Sequence, residues 1–242
     1  MLVRIDANEG KGRAYVLEVG FFVDKVANVS HNRGLTEQTC MANCKNWNHN
    51  GGCPPFAPKF DQISKNCEDI LIWYVKLPYE QLPVNIRTEH NIGGFFVSSF
   101  AQAFLPPVVK RLAVPLKELW KPDHYLAESC CKTCGQGKCA FKEEGCTTCR
   151  VPSHRTFSLE STGVLVGDLT ERHGLPLHWY KSKQDIAEVP YTCKVCGFLF
   201  KKLPEHDFES DILKLIESTK YYSLVERKAI SKKPRMPYMP TV

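Results

Sequence analysis

The chain has 242 residues, 43% of them hydrophobic, enough to bury a full core in one large domain or two small ones without covalent staples. Its formal net charge of +6 is carried mostly by the end of the chain, where Arg227, Lys228, Lys232, Lys233 and Arg235 stand against Glu226, so the body is nearly neutral. The first residues lack the basic and apolar regions of a secretory signal, and no run of about 18 strongly apolar residues occurs. We therefore expect a cytoplasmic chain with no membrane partner.

In chain order, residues 14–23 are rich in strand formers. Cys40, Cys44 and Cys53 follow in a segment dense in Asn, Gly and Pro, reading C-x3-C-x8-C-P-P with Pro54 and Pro55, and residues 40–58 are expected to form a loop. His49 lies inside it and is read as facing solvent. Phe60, Ile63 and Cys67 recur at helical spacing, which places Cys67 on the apolar face of a short helix as a core residue. Residues 70–75 are an unbroken apolar run of the kind found in a strand covered on both faces.

Residues 93–121 turn helical, but Pro106, Pro107 and Pro115 predict two or three short helices. The second cysteine segment comes next, with Cys130, Cys131, Cys134, Cys139, Cys146 and Cys149 before Arg150-Val151-Pro152. Residues 164–173 read as a helix stopped by Gly174, and residues 175–180 as extended. Cys193 and Cys196 form a third thiol pair, and residues 207–219 an acid-capped helix that ends the packed body. The expected architecture is α+β (mixed α/β): a single compact metal-binding domain over residues 1–220, with cysteine loops at 40–58 and 130–152. A basic, Pro-rich tail over 221–242 would be solvated, or would touch an acidic or nucleic-acid partner.

Twelve cysteines are far more than such a core needs. In a reducing compartment, clustered thiols point to metal or catalysis rather than to disulfides. Short C-x2-C turns serve zinc and iron–sulfur clusters alike, since both take thiolates splayed from a tight loop. Three details favour iron and sulfide, as one or two [4Fe-4S] clusters. Cys131, Cys134, Cys139 and Cys149 lie close enough in sequence to wrap one cubane, a proline follows the last cysteine closely as in ferredoxin loops, and the first set offers three thiols. A cubane held by three cysteines leaves one iron open to a small molecule.

Zinc competes through a different pairing, in which Cys131 and Cys134 join Cys193 and Cys196 as two CKxCG knuckles. The latter pair could instead be a redox dithiol or a zinc half-site of its own. Cys146 is a further candidate ligand. Of the doublet Cys130-Cys131 we expect one ligand, because adjacent side chains in an extended segment point apart, and Cys131 has the x2 partner. Arg150 would offset the negative charge of a thiolate-rich centre or bind an anionic cofactor or substrate. No G-x-x-x-x-G-K-[ST] or G-x-G-x-x-G loop occurs, and neither does the C-x3-C-x2-C triplet of radical enzymes that use S-adenosylmethionine.

Taken together, Cys40, Cys44, Cys53-Pro54-Pro55, then Cys131, Cys134, Cys139 and Cys149-Arg150-Val151-Pro152, then residues 158–166 (SLESTGVLV), resemble domain-of-unknown-function family 2284, the predicted metal-binding proteins. Thr156-Phe157 stands where that family has Arg-Pro, Leu165 where it has Asp, and the loop carrying Cys146 is longer. The resemblance implies iron–sulfur binding, with an unidentified redox partner or small-molecule substrate. Ser158 and Glu160 read as the cap and first-turn acid of a helix, and Gly163 as a backbone bend.

Overall fold

The computed structural model describes residues 2–7, 15–81, 95–135, 139–143, 146–177 and 190–228. Its strands are β1 (Leu2–Ala7), β2 (Tyr15–Lys25), β3 (Asp69–Pro78), β4 (His124–Ala127), β5 (Phe157–Ser158), β6 (Tyr191–Phe200) and β7 (Tyr222–Lys228). Among the described residues these form one seven-stranded sheet in the order β5-β4-β6-β3-β2-β1-β7, antiparallel except for the parallel β4–β5 pair at one edge. The helices are α1 (Arg33–Asn43), α2 (Phe60–Ser64), α3 (Phe95–Trp120), α4 (Leu159–Thr162), α5 (Val166–Glu171) and α6 (Phe208–Ser218). The architecture is the expected α+β.

Strand β3 explains the two-sided core. Its side chains alternate, so Leu71, Trp73, Val75 and Leu77 enter one apolar cluster while Ile70 and Ile72 enter another on the opposite face. All six are fully buried, as the unbroken apolar run predicts. At about 1.5–3 kcal/mol for each large apolar side chain fully removed from water, this strand alone anchors the sheet. The first cluster is covered by α3 and α6, through Leu105, Val108, Val109, Leu112 and Leu116 of one and Ile212 and Ile216 of the other. Trp120 Nε1 donates to Asp211 Oδ2 at 3.0 Å and ties these two helices together.

Helix α3 departs from the sequence expectation. Pro106, Pro107 and Pro115 lie inside a single 26-residue helix. Each proline removes a backbone donor, at a cost of about 3 kcal/mol in a helix interior. The apolar stripe from Leu105 to Trp120, buried against the sheet, outweighs that cost. By contrast, α6 forms as its sequence dictates: Asp207 caps it by accepting from Ser210 N at 3.0 Å.

The second apolar cluster lies on the other sheet face beneath α2, α4 and α5, with Phe60, Leu159, Val164, Val166 and Leu169 against Leu126 and Leu199. Cys67 packs on this cluster, as expected of a core residue, from the turn after α2. The helix read at residues 164–173 appears as the shorter α5, and Gly174 follows it with φ of +73°, a conformation that favours glycine. The extended reading of residues 175–180 falls partly outside the described residues. The basic C-terminal segment begins as strand: β7 pairs antiparallel with β1, and residues 229–242, including the Pro-rich part, lie outside the described residues. No helix among the described residues is long and apolar enough to cross a membrane.

Candidate metal centre

Both cysteine segments converge at the β4–β5 edge. The first leaves the end of α1; the second is the connection between β4 and β5. Cys40 belongs to the last turns of α1, so the first set starts on a helix rather than in the loop that the composition suggests. The entry to α1 is stitched to the turn after α4. Asn32 N donates to Gly163 O at 2.7 Å, Leu165 N donates to Ser30 O at 2.9 Å, and His31 bridges Val164. Gly163 closes α4 with φ of +103°, which strains any other residue, and a Cβ there would lie a tight 3.1 Å from Arg33 Cα. Ser158 caps α4 by accepting from Ser161 N at 3.1 Å, with Glu160 in the first turn, as the sequence predicts.

Two arginines absent from the sequence reading clamp the loops. Arg33 donates from Nη1 to Ser161 O at 2.5 Å and Pro58 O at 3.3 Å, and from Nη2 to Pro55 O at 3.3 Å, while Nε meets Glu37 Oε1 at 2.5 Å. It thereby fixes the start of α1 against the C-P-P turn, in which the Pro54–Pro55 bond is cis. Arg155 joins the second segment to the first. Its Nε donates to Gly51 O at 2.7 Å and its Nη2 to Phe56 O at 2.5 Å, and its guanidinium lies 5.1 Å from the rings of both Phe141 and Phe157. Phe56 and Phe141, one from each segment, pack ring against ring at 4.5 Å.

The loops touch through backbone as well. Asn50, buried, accepts from Gly52 N at 2.8 Å and donates to Cys131 O at 2.9 Å. Gly52 sits so close to the second segment that a Cβ would lie 2.4 Å from Thr156 O, 2.6 Å from Cys131 Cβ and 2.8 Å from Cys131 N. Gly51 N donates to Cys139 Sγ at 3.5 Å, an N–H···S bond from the first loop to a thiol of the second.

The sulfurs fall into two neighbourhoods. In the first, buried Cys53 is hydrogen-bonded to Cys130, and Cys44 and Cys40 lie near enough for their charge to act on Cys53. Asn46 Nδ2 donates to Cys130 Sγ at 3.5 Å. The hydrogen bond from Cys53, against opposing burial, pulls Cys130 below the ordinary thiol range, whereas the same bond and burial push Cys53 up. Burial and then Cys44 push Cys40 up, with Arg33 working the other way. In the second neighbourhood Cys134 is raised first by its partial burial and then by Cys139, Cys149 and Cys131. Burial is the largest single effect on Cys131 and raises it, but hydrogen bonds from Thr133 and Thr156 bring it down overall. Cys146 lies beside Arg150, which is ion-paired to Glu143 and also feels Cys134.

Cys130 is the cysteine that the sequence reading set aside. Its side chain goes to Cys53, while Cys131 beside it goes to the second neighbourhood. The signal available was that the first set is one thiol short of four; the doublet itself follows a bend after β4 and is not the extended segment expected.

The remaining pair behaves otherwise. Cys193 and Cys196 lie within strand β6, whose odd spacing sends them to opposite faces of the sheet. Cys196 is fully buried in the first apolar cluster and Cys193 packs on the second. Burial pushes Cys193 up to about 12 and raises Cys196 well above the ordinary thiol range. The structure therefore brings these two thiols neither to each other nor into a tight turn, and the matched-knuckle pairing with Cys131 and Cys134 gains no support from it. His49 is exposed, as expected.

Among the described residues, no group of three or more His, Cys, Asp or Glu side chains stands in position to hold a single metal ion. The cysteines are gathered in two neighbourhoods and carry donors aimed at sulfur. Soft thiolates of this kind suit iron–sulfur clusters, zinc or copper(I), and N–H···S bonds stabilise the deprotonated form that ligation needs.

The fold and the site together define a class: an α+β protein presenting two interlocked, thiol-rich loops at one sheet edge. The chain belongs to the family described as Predicted metal-binding protein (DUF2284), whose model matches residues 26–200. The match begins just past β2 and ends with β6, so it takes in both cysteine loops. No curated protein and no solved structure matches the chain.

Proposed function

We propose that the chain is an iron–sulfur protein whose two cysteine loops hold [4Fe-4S] clusters and serve redox chemistry. Cys40, Cys44 and Cys53 hold one centre, and Cys131, Cys134, Cys139 and Cys149 hold the other, with Cys146 in reserve beside Arg150. A bound cluster supplies one-electron oxidation and reduction. The chain's own residues present sulfur, direct the Asn46 and Gly51 N–H groups at it, and place Arg33 and Arg150 close by to balance negative charge. The observation that carries the reading is the gathering of the loop thiols into two neighbourhoods, each with an N–H···S bond.

The test is purification without air. Brown protein with a broad absorbance near about 400 nm, containing iron and acid-labile sulfide in equal amounts, is the expected result. Colourless protein with stoichiometric zinc would reject it in favour of a structural zinc module.

A further inference from the structure

We propose that the Cys130-Cys131 doublet divides its thiolates between the two centres, Cys130 closing the first as its fourth ligand and Cys131 serving the second, so that one peptide unit joins them. This rests on the iron–sulfur reading above and goes further: it removes the open iron that a three-thiol first set would leave, and makes the pair an internal electron relay.

The geometry points this way from both sides. Cys130 Sγ is hydrogen-bonded to Cys53 and receives the Asn46 amide at 3.5 Å, both partners belonging to the first loop. Cys131 Sγ turns instead to Thr133 Oγ1 at 3.5 Å, inside its own loop, and lies within electrostatic reach of Cys134. The chain bends through residues 128–130, just past β4, and from that bend the two side chains leave in different directions. The doublet is also held by the first loop, through Asn50 on Cys131 O and the close approach of Gly52 to Cys131.

Consecutive Cα atoms are about 3.8 Å apart, which keeps two such sulfurs within roughly 10 Å of each other. A further bond crosses between the loops, from Gly51 N to Cys139 Sγ. Clusters held by these thiols would exchange a single electron, one being oxidised as the other is reduced, with no atom or proton transferred. The consumer of that electron is a redox partner outside the chain, not a molecule bound at the first centre.

The experiment uses the full-length protein, loaded and handled without air. Iron and sulfide are counted in the wild type, Cys130→Ser and Cys131→Ser, and electron paramagnetic resonance spectra are taken after dithionite reduction. The wild type should hold two clusters with a signal broadened by spin–spin interaction. Each variant should lose or alter a different cluster, and the remaining signal should sharpen. Asn46→Ala keeps every thiol and guards against a folding artefact. By removing the N–H on Cys130 it should shift one reduction wave to lower potential, and that wave should be the one that Cys130→Ser abolishes.

Two clusters in the wild type, with Cys130→Ser leaving both intact or with both substitutions striking the same cluster, would overturn the divided doublet and leave the iron–sulfur reading standing. An Asn46→Ala shift in the wave that Cys131→Ser abolishes would overturn it as well. Wild-type protein without iron and sulfide would overturn both readings together.

Discussion

Gly52→Ala tests whether the two thiol loops are held together by direct backbone contact. The added methyl would lie 2.4 Å from Thr156 O and 2.8 Å from Cys131 N, the first of these about 1 Å inside ordinary van der Waals contact. Both are backbone atoms, and the third neighbour, Cys131 Cβ at 2.6 Å, is fixed to the same backbone, so no rotamer change relieves the overlap. One segment must move, which breaks the Asn50 bridge to Cys131 O and misplaces the doublet. Overpacking of this kind costs about 1–3 kcal/mol, a sizeable part of the roughly 5–15 kcal/mol that holds a typical domain folded. Equilibrium urea unfolding under reducing, anaerobic conditions measures it, with bound metal counted on the same samples. Gly167→Ala is the control: nothing lies within 4 Å of a Cβ at that position in α5, and the substitution should be neutral or stabilise by up to about 1 kcal/mol. If Gly52→Ala unfolded and loaded metal as the wild type does, the close contact between the loops would be refuted.

Arg155→Met should destabilise the apoprotein by about 2 kcal/mol, from two lost charge-assisted hydrogen bonds and the contacts with Phe141 and Phe157, and Arg155→Lys should not restore it because one ammonium cannot span both carbonyls; urea midpoints decide this. Metal analysis should find Cys53→Ser depleted, while Cys67→Ser and Cys196→Ala keep the wild-type content, since Cys67 and Cys196 pack in apolar clusters. Arg150→Ala should lower the potential of the cluster nearest Cys134 and Cys146, read by redox titration, because a cation beside thiolate favours the reduced state. Acid should weaken the fold through Asp24, where burial opposes ionisation but hydrogen bonds from His173, Asn28 and the Lys25 backbone together hold the carboxyl below its ordinary range. With the folded value below the unfolded one of about 3.9, that stabilisation is complete above the unfolded value and is lost as pH falls through the folded one. Unfolding free energies followed down to about pH 3 should therefore show a shallower acid limb in Asp24→Asn.

What the sequence could reveal depended on how far apart the interacting residues lie. Strand β3 and helix α6 were legible because their signals are local: an apolar run between turns, and a cap with an amphipathic stripe. Helix α3 was not, because proline counts as a local breaker and the burial that overrides it belongs to the sheet. The clamps were invisible for the same reason. Arg33 reaches Ser161 across 128 positions and Arg155 reaches Gly51 across 104, and an arginine before folding carries no mark of the carbonyl it will meet.

The thiols show where a spacing rule stops working. C-x2-C reads identically at residues 131–134 and 193–196, yet the first lies in a turn beside other sulfurs and the second in a strand that separates its two. The difference lies in the flanks. Val195, Phe198, Leu199 and Phe200 are apolar on both sides of the alternation, as a strand buried on both faces demands, whereas Gly135 after the first pair carries φ of +76° and turns the chain. Alternation along a strand disarms Cys193 and Cys196 as a pair, whereas the bend after β4 gives Cys130 and Cys131 their separate directions. At a spacing of three residues within a strand, alternation sends two thiols to opposite sides of the sheet. At a spacing of one, in a bend beside the first loop, the two thiols enter two neighbourhoods already furnished with sulfur. What a cysteine can ligate is thus decided by what flanks its backbone, and the interlocked loops, more than the thiol count, are what suit this sheet edge to holding metal.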